Sequence, residues 1–301
     1  RNGGLTSYGS KNTSPIRENF LMQSIAEDNL QYVYPDRTGA STSSRYSGMT
    51  IGKTELIFLI DRAKDCVYYF KVADKNHIHI TKRRAFLKTV SILDNIYTTK
   101  PLIEEIELAE LSSELQIGYW SYNYDPSNDC LYICTSSNNR TAPDGKFLIT
   151  EIKVDTWKIK QYEITNTTDK YLRTEGNWGM FVTEGYLLLR GYDAPYDVYK
   201  IQITNSANVV KLKRTNVTNI NGVPKFVING RVYYEYSYEQ LLIADLATNE
   251  IMPPETQTLF NSSYTMSVTP VRNEPLIYFC DYGTWSTSGW YMMCNLSLIH
   301  I

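Results

Sequence analysis

The residues with the most chemical capacity lie in four polar stretches, at 136–145, 166–178, 190–195 and 281–289. They hold Arg140, Arg173, Glu175, Trp178, Arg190, Tyr192, Asp193, Tyr282 and Trp285. Aromatic faces stack on sugar rings or apolar side chains, and guanidinium forks and carboxylates hydrogen-bond hydroxyl, amide and acid groups. The set therefore suits recognition of a carbohydrate or a protein surface. The binding candidates are Arg173, Trp178, Arg190, Tyr192, Asp193, Tyr282 and Trp285. Glu175, Asp193 and Asp281 are the acids available to a glycan-cleaving pair, which works with carboxyl groups about 5 to 9.5 Å apart. No complete catalytic constellation accompanies them. Gly-x-Ser-x-Gly does not occur, and the only histidines are His77, His79 and His300.

Other chemically suggestive stretches read more simply as structure. "HIHI" would put His77 and His79 on one face of a strand, about 7 Å apart, but Lys75, Lys82, Arg83 and Arg84 surround them and disfavour a cation. "SGMTIGKT" at 47–54 nearly matches a phosphate-binding loop, with Ser47 in place of the first glycine. That loop needs a helix behind it to aim backbone N–H groups at phosphates, and here the strand-like "ELIFLI" follows. Cys130 and Cys134 fall four residues apart on one expected strand, about 13 Å, too far to bridge. No metal-ligand spacing occurs among the five cysteines, and buried free thiols are expected, with one or two long-range disulfides as the alternative. No cofactor and no metal are expected. Sequons at Asn12, Asn139, Asn166, Asn216 and Asn261 are about what so Asn- and Thr-rich a chain produces by chance, and do not establish secretion.

Composition narrows the class. The 301 residues are 43% hydrophobic and 21% charged, with a net charge of -2. Such a balance gives no electrostatic reason to expect nucleic acid, and no apolar run is long enough to span a membrane. Tyr is abundant, at 25 copies, beside many Thr, Ile and Asn. Aromatic and β-branched side chains fit pleated, half-buried surfaces, so an all-β fold is expected.

The elements that would position the polar stretches come from a repeat. "DCVYYF" from Asp65 and "DCLYIC" from Asp129 share their pattern position for position, and "LLLR", "VYYE" and "IYFC" take the same place later. Each follows a turn ("DRAKD", "DPSND", "TEG", "ING", "RNEP"), and each turn follows another apolar strand. A second hairpin completes most units, as in "KFLITEIKVDTWKIKQYEI". Tyr68, Tyr132, Leu188, Tyr233 and Tyr278 are equivalent, at intervals of 64, 56, 45 and 45 residues. Four strands at a period near 45 resemble the blades of a β-propeller. No blade carries a Trp-Asp ending or paired kelch glycines, so no specific family is named. "DYGTWSTSGW" resembles the Asp-box turn of sialidase-type propellers, but Phe279 stands where its serine should and Trp285 comes one place early.

The resemblance implies antiparallel four-stranded blades starting near residues 55, 117, 178, 224 and 264. First strands would line the channel and fourth strands the rim, and the array is expected to be cut from a six- to eight-bladed parent. Residues 1–47 read as a polar segment or a remnant of a preceding blade, 48–295 as blades, and 81–116 as an insertion. Residues 296–301, "LSLIHI", resemble the translation of a sequencing-library transposase adapter and are expected to be a non-native scar. In propellers the loops between second and third strands share a face with those between blades, which gathers the four polar stretches on one side. The implied function is a non-catalytic module binding a protein or glycan partner, at a cell surface, in the periplasm or on a phage tail. The alternative is a propeller enzyme acting on glycans. The sequence leaves the compartment open, with extracellular or periplasmic favoured.

Overall fold

The computed structural model describes residues 56–84, 102–108, 111–116, 119–137, 140–173, 180–220, 222–236, 240–253, 266–274, 276–281 and 290–295. The stretches 1–47 and 296–301 and the loop-like sequence at 47–54 lie outside them. All named elements are strands.

Local turn chemistry sets the hairpins. Asp61 accepts the Lys64 N–H (2.9 Å), Asp125 the Ser127 N–H (3.1 Å), and Asp245 the N–H groups of Ala247 and Thr248 (3.0 and 3.1 Å). The closing residues Asp65, Asp129 and Asn249 take φ of 50°, 55° and 57°, a left-handed conformation that Asp and Asn tolerate best after glycine. Asn229-Gly230 has φ of 50° and 71°, both positive, as the tight two-residue hairpin requires.

Among the described residues these turns build five sheets. The first holds β1 (Leu56–Asp61), β2 (Cys66–Val72), β3 (Ile78–Arg84) and β4 (Leu102–Glu107). The second holds β5 (Tyr119–Asp125), β6 (Cys130–Ser136), β8 (Lys146–Lys153) and β9 (Ile159–Thr165), with β7 (Arg140–Thr141) in the loop between β6 and β8. The third takes β7 from that loop together with β10 (Leu172–Arg173), β11 (Phe181–Thr183), β12 (Tyr186–Gly191), β13 (Val198–Gln202) and β14 (Asn205–Lys211). The fourth runs β16 (Gly222–Ile228), β17 (Arg231–Tyr236), β18 (Gln240–Asp245) and β19 (Glu250–Met252). Against β19 the linker strand β15 (Lys213–Arg214) lies parallel and covers the outer edge. The fifth pairs β20 (Met266–Pro270), β21 (Leu276–Asp281) and β22 (Trp290–Asn295).

First strands begin at 56, 119, 181, 222 and 266, within three residues of expectation. The stretch read as an insertion contributes to the first sheet on both sides, through the end of β3 and all of β4. Second strands are buried on both faces because each sheet is sandwiched between neighbours, as in β6 throughout. The outermost β14 is largely exposed or half-buried.

Apolar clusters fill the seams between sheets. Phe70 meets Tyr122 edge-on across the first seam (4.9 Å between centroids). Cys130, Tyr132 and Cys134 pack with Leu187 and Leu189 across the second, and Leu188 and Val198 with Val232 and Tyr234 across the third. Burial raises the thiol pKa of Cys66 to about 11 and those of Cys130 and Cys134 to about 12. All three are free and buried, so at neutral pH they remain unreactive thiols.

The inner strands are joined by polar contacts. Along β5, Trp120, Tyr122 and Tyr124 face the first sheet, while Ser121, Asn123 and Asp125 face β11. Ser121 donates to the Met180 carbonyl (2.8 Å), and Asn123 both donates to the Val182 carbonyl (2.7 Å) and accepts its N–H (2.9 Å). Asp125 accepts from the Thr183 hydroxyl (2.9 Å) and the Glu184 N–H (3.0 Å). A row of side chains thus occupies the free edge of β11, whose main-chain groups would otherwise be buried unpaired. Lys200 spans the next seam, donating to the Leu246 carbonyl (3.1 Å) with its ammonium 4.5 Å from the Tyr186 ring. Burial lowers its pKa.

The fifth sheet meets the first directly. Val271 bridges Ile60 in parallel, and the Arg272 N–H donates to the Ile60 carbonyl (2.8 Å). From this turn the Arg272 side chain, 10% exposed, reaches three carboxylates. It forks onto Asp129 (3.1 and 2.6 Å) and also contacts Asp61 (3.1 Å) and Asp155 (2.8 Å). Lys64 adds a second cation on Asp155 (2.9 Å), and the Tyr124 hydroxyl donates to Asp129 (2.7 Å). Burial pushes the Asp155 carboxyl upward, but hydrogen bonds from Lys64 and Arg272 outweigh it and hold it below its ordinary range.

One glycine is required by close approach. A Cβ on Gly145 would stand 1.9 Å from the Thr141 methyl and 3.0 Å from the Ala142 carbonyl. Thr141 belongs to β7 and is buried, so it has little room to give. Gly145→Ala is expected to cost about 1–3 kcal/mol, read as a lower urea midpoint. An unchanged midpoint would show that β7 moves aside freely.

Candidate functional site

The loop face of the third sheet brings together the expected residues that lie among those described. Strand β12 has two partners on its inner edge. Its start pairs with β11, and its end pairs with β10. This splits the first-strand position in two and lets β10 carry Arg173 to the end of the sheet. There Arg173 pairs with Arg190 on one side and with Arg140 of β7 on the other. The alternate row, Thr141, Leu172 and Gly191, is buried.

The side chains of this row have different surroundings. The Arg173 guanidinium lies 5.5 Å over the Tyr192 ring and is half-buried. Tyr192 is fixed by its N–H, which donates to the Tyr171 carbonyl (2.9 Å). Asp193 is exposed at the tip of the β12–β13 loop. Arg190 differs from both of these charges in being buried. Its side chain is 1% exposed and donates to the carbonyls of Gly222 (3.1 Å) and Ile220 (3.5 Å), with the guanidinium 5.3 Å over the Tyr196 ring. The reason is alternation along β12. Arg190 shares its face with Leu188, and that face packs against the fourth sheet. Arg190 therefore clasps two sheets together at the margin of the face.

Trp178, Glu175, Tyr282 and Trp285 lie outside the described residues, as do the side chains of Arg140 and Asp281. Two neighbours escaped the sequence reading, Tyr171 and Tyr196, which flank the stretches already singled out. Tyr171 is 48% exposed, one of two large hydrophobic residues so exposed among the described residues.

The other motifs resolve into structure where they are described. His77 sits in the turn before β3, where its Nδ1 contacts Asp74 (2.7 Å), and His79 stands 3.7 Å from Glu105. Among the described residues no group of three His, Cys, Asp or Glu is placed to hold a metal ion. Asn166 is buried, donating to the carbonyls of Ala142 (3.0 Å) and Lys170 (2.9 Å), so its sequon serves as a loop brace. No helix among the described residues is long and apolar enough to cross a membrane.

No protein-family model matches the chain, and no curated protein matches it in sequence. Solved structures match at low identity. TolB from Acinetobacter baumannii shares 14% identity over 93% of this chain and 67% of its own, at a TM-score of 0.38. A GH43_1 enzyme from Xanthomonas citri shares 12% over 88% and 93%, at 0.36. Glutaminyl cyclase from Myxococcus xanthus shares 11% over 78% and 88%, also at 0.36. At such identities and scores the fold rests on the chain's own strands. On the pairing of its own strands, this chain is an all-β protein with a β-propeller-like array of mainly antiparallel sheets, two of them four-stranded and the others of three, five and six strands among the described residues.

Proposed function

We propose that the chain is a non-catalytic binding module whose ligand, a carbohydrate, docks on the loop face carrying Arg173 and Tyr192. The observation that supports this is the guanidinium of Arg173 held over the Tyr192 ring, with the exposed residue Tyr171 bonded through its carbonyl to the Tyr192 N–H. A flat ring and an oriented fork of donors side by side offer a sugar both a stacking surface and hydroxyl partners. Trp178, Asp193, Tyr282 and Trp285 belong to the same proposed face through the loops that carry them.

A glycan array with the wild-type protein and with Trp178→Ala and Trp285→Ala tests this. Each truncation is expected to cost about 2 kcal/mol of binding or more. Binding that survives both changes would move the site elsewhere. Array binding absent altogether, with capture of a protein partner that Arg173→Ala abolishes, would make the ligand a protein. Release of new reducing ends from a bound glycan would make the module an enzyme, and Glu175, Asp193 and Asp281 its candidate acids.

A further inference from the structure

At the end of β12 opposite the proposed ligand face, hairpin turns of the third and fourth sheets border a cleft of about 490 Å³. Glu184 and the turn Asn229-Gly230 form its sides, and Arg231, Asp245 and Ala247 complete it. A cleft of this size can hold a small molecule. Two features single out Glu184. The first is its backbone. Of the non-glycine residues with positive φ among those described, all but Trp157, Glu184 and Tyr196 are Asp or Asn. Trp157 and Tyr196 pack their rings against Tyr68 and Arg190, whereas Glu184 is exposed. Glu184 takes φ of 52° at the turn position that Asn229 (50°) fills in the fourth sheet, each followed by a glycine (76° and 71°). Asn suits that conformation better than Glu does, so the fold alone gives no reason for a glutamate there. The second feature is the carboxylate. The Glu184 N–H donates to Asp125 (3.0 Å), which fixes the turn, and Oε1 stands 3.0 Å from where a Cβ on Gly230 would lie. Among the described residues nothing donates a hydrogen bond to this carboxylate. Lys200 feels its charge but donates to the Leu246 carbonyl instead (3.1 Å). Asp245, across the cleft, already accepts from Arg231 (3.1 Å) and from the N–H groups of Ala247 and Thr248 (3.0 and 3.1 Å).

We propose that this cleft is a second binding site, for a small organic cation whose primary ammonium is held by the Glu184 carboxylate. It lies away from the carbohydrate face and does not depend on it. One carboxylate suits an ammonium, which brings its own three donors and forms a charge-assisted hydrogen bond. It does not suit a metal ion, which takes several ligands, and among the described residues no group of three His, Cys, Asp or Glu is placed to supply them. An aliphatic diamine and an amino sugar both carry the ammonium.

The experiment titrates the full chain at pH 7 with 1,4-diaminobutane and with glucosamine, each beside its neutral counterpart, 1,4-butanediol and glucose. The ammonium compounds are expected to bind about tenfold tighter or more, with the margin shrinking as salt rises. Binding by either one alone supports the proposal and identifies the source of the ammonium. Glu184→Gln and Glu184→Asn should each weaken amine binding about tenfold or more. Glu184→Asn, better suited to its turn, should at the same time keep or raise the urea midpoint. Glu163→Gln is the control. It removes the same charge from an exposed pair with Lys146 and should leave amine binding unchanged. Equal binding of charged and neutral compounds would overturn the proposal, as would amine binding that survives both Glu184 changes. So would the absence of binding by either amine. A lower midpoint in Glu184→Asn would also overturn it, because the carboxylate would then be serving the fold.

Discussion

Replacing Arg272 by Ala or Met is expected to destabilise the fold at neutral pH by about 3–5 kcal/mol, the usual cost of removing one partner from a buried ion cluster. Arg272 is 10% exposed, and its removal would strand Asp61, 5% exposed, and Asp129, 23% exposed, in the seam that joins the fifth sheet to the first two. Asp155 is 41% exposed and keeps Lys64, so it adds little to the loss. The pH dependence follows from Asp155, whose carboxyl is held below its ordinary range in the folded protein. A carboxyl so depressed stabilises the fold at pH values above its ordinary pKa, and that contribution is lost as pH falls through the lower folded value. Wild type should therefore lose stability below about pH 4. In the variants, protonation instead relieves crowded negative charge, so the gap to wild type should narrow. Urea unfolding at pH 7 and pH 3 checks this. A loss below about 1 kcal/mol at pH 7, or a gap that widens in acid, would mean the cluster does not hold the seam.

Arg272 also marks where sequence and structure part. The repeat was legible because hairpins are local. "DPSND" and "ING" dictate their own turns through an Asp that accepts nearby N–H groups and an Asn or Gly that accepts positive φ. Which sheet meets which is decided by contacts between residues far apart in sequence, and no periodicity encodes them. A signal for Arg272 was nonetheless present. Asp61 and Asp125 occupy the same turn position in the first two repeats, as do Asp65 and Asp129, and the fifth repeat puts Arg272 in that turn. Opposite charges at equivalent turns of a circular array are candidates for a closing contact. The proposed ligand face rests on reasoning of the same local kind. Loops with rings and charges could be assigned to one side from strand order alone. The burial of Arg190 could not, because it depends on which face of β12 the fourth sheet covers. The split of the inner strand into β10 and β11 was hidden too. Two residues of β10 make no pattern, and their pairing with β12 on one side and β7 on the other reveals the strand.

Asn123→Leu should cost about 2–4 kcal/mol, although it keeps the side chain's size and increases its hydrophobicity. Asn123 answers both main-chain groups of Val182, donating at 2.7 Å and accepting at 2.9 Å. Both contacts are buried, and leucine would leave the Val182 N–H and C=O without partners in a place water does not reach. Each such orphan costs about 1–3 kcal/mol. Ser121→Ala removes a single hydroxyl donor, to the Met180 carbonyl, and should cost about 1 kcal/mol. The ordering of the two variants separates this account from one in which β5 matters only through its aromatic face. On that alternative view Asn123→Leu would be neutral or stabilising, since Trp120, Tyr122 and Tyr124 on the opposite face are untouched. Hydrogen exchange gives a local check. In Asn123→Leu the Val182 amide should exchange faster than the amides of β12, which keep their ladder to β13. If Val182 stays as protected as before, some other group has taken over its N–H, and β11 does not depend on the side chains of β5. The alternation in "YWSYNYD" would then be a matter of packing alone, and the polar half of the strand would have no part in joining the second sheet to the third.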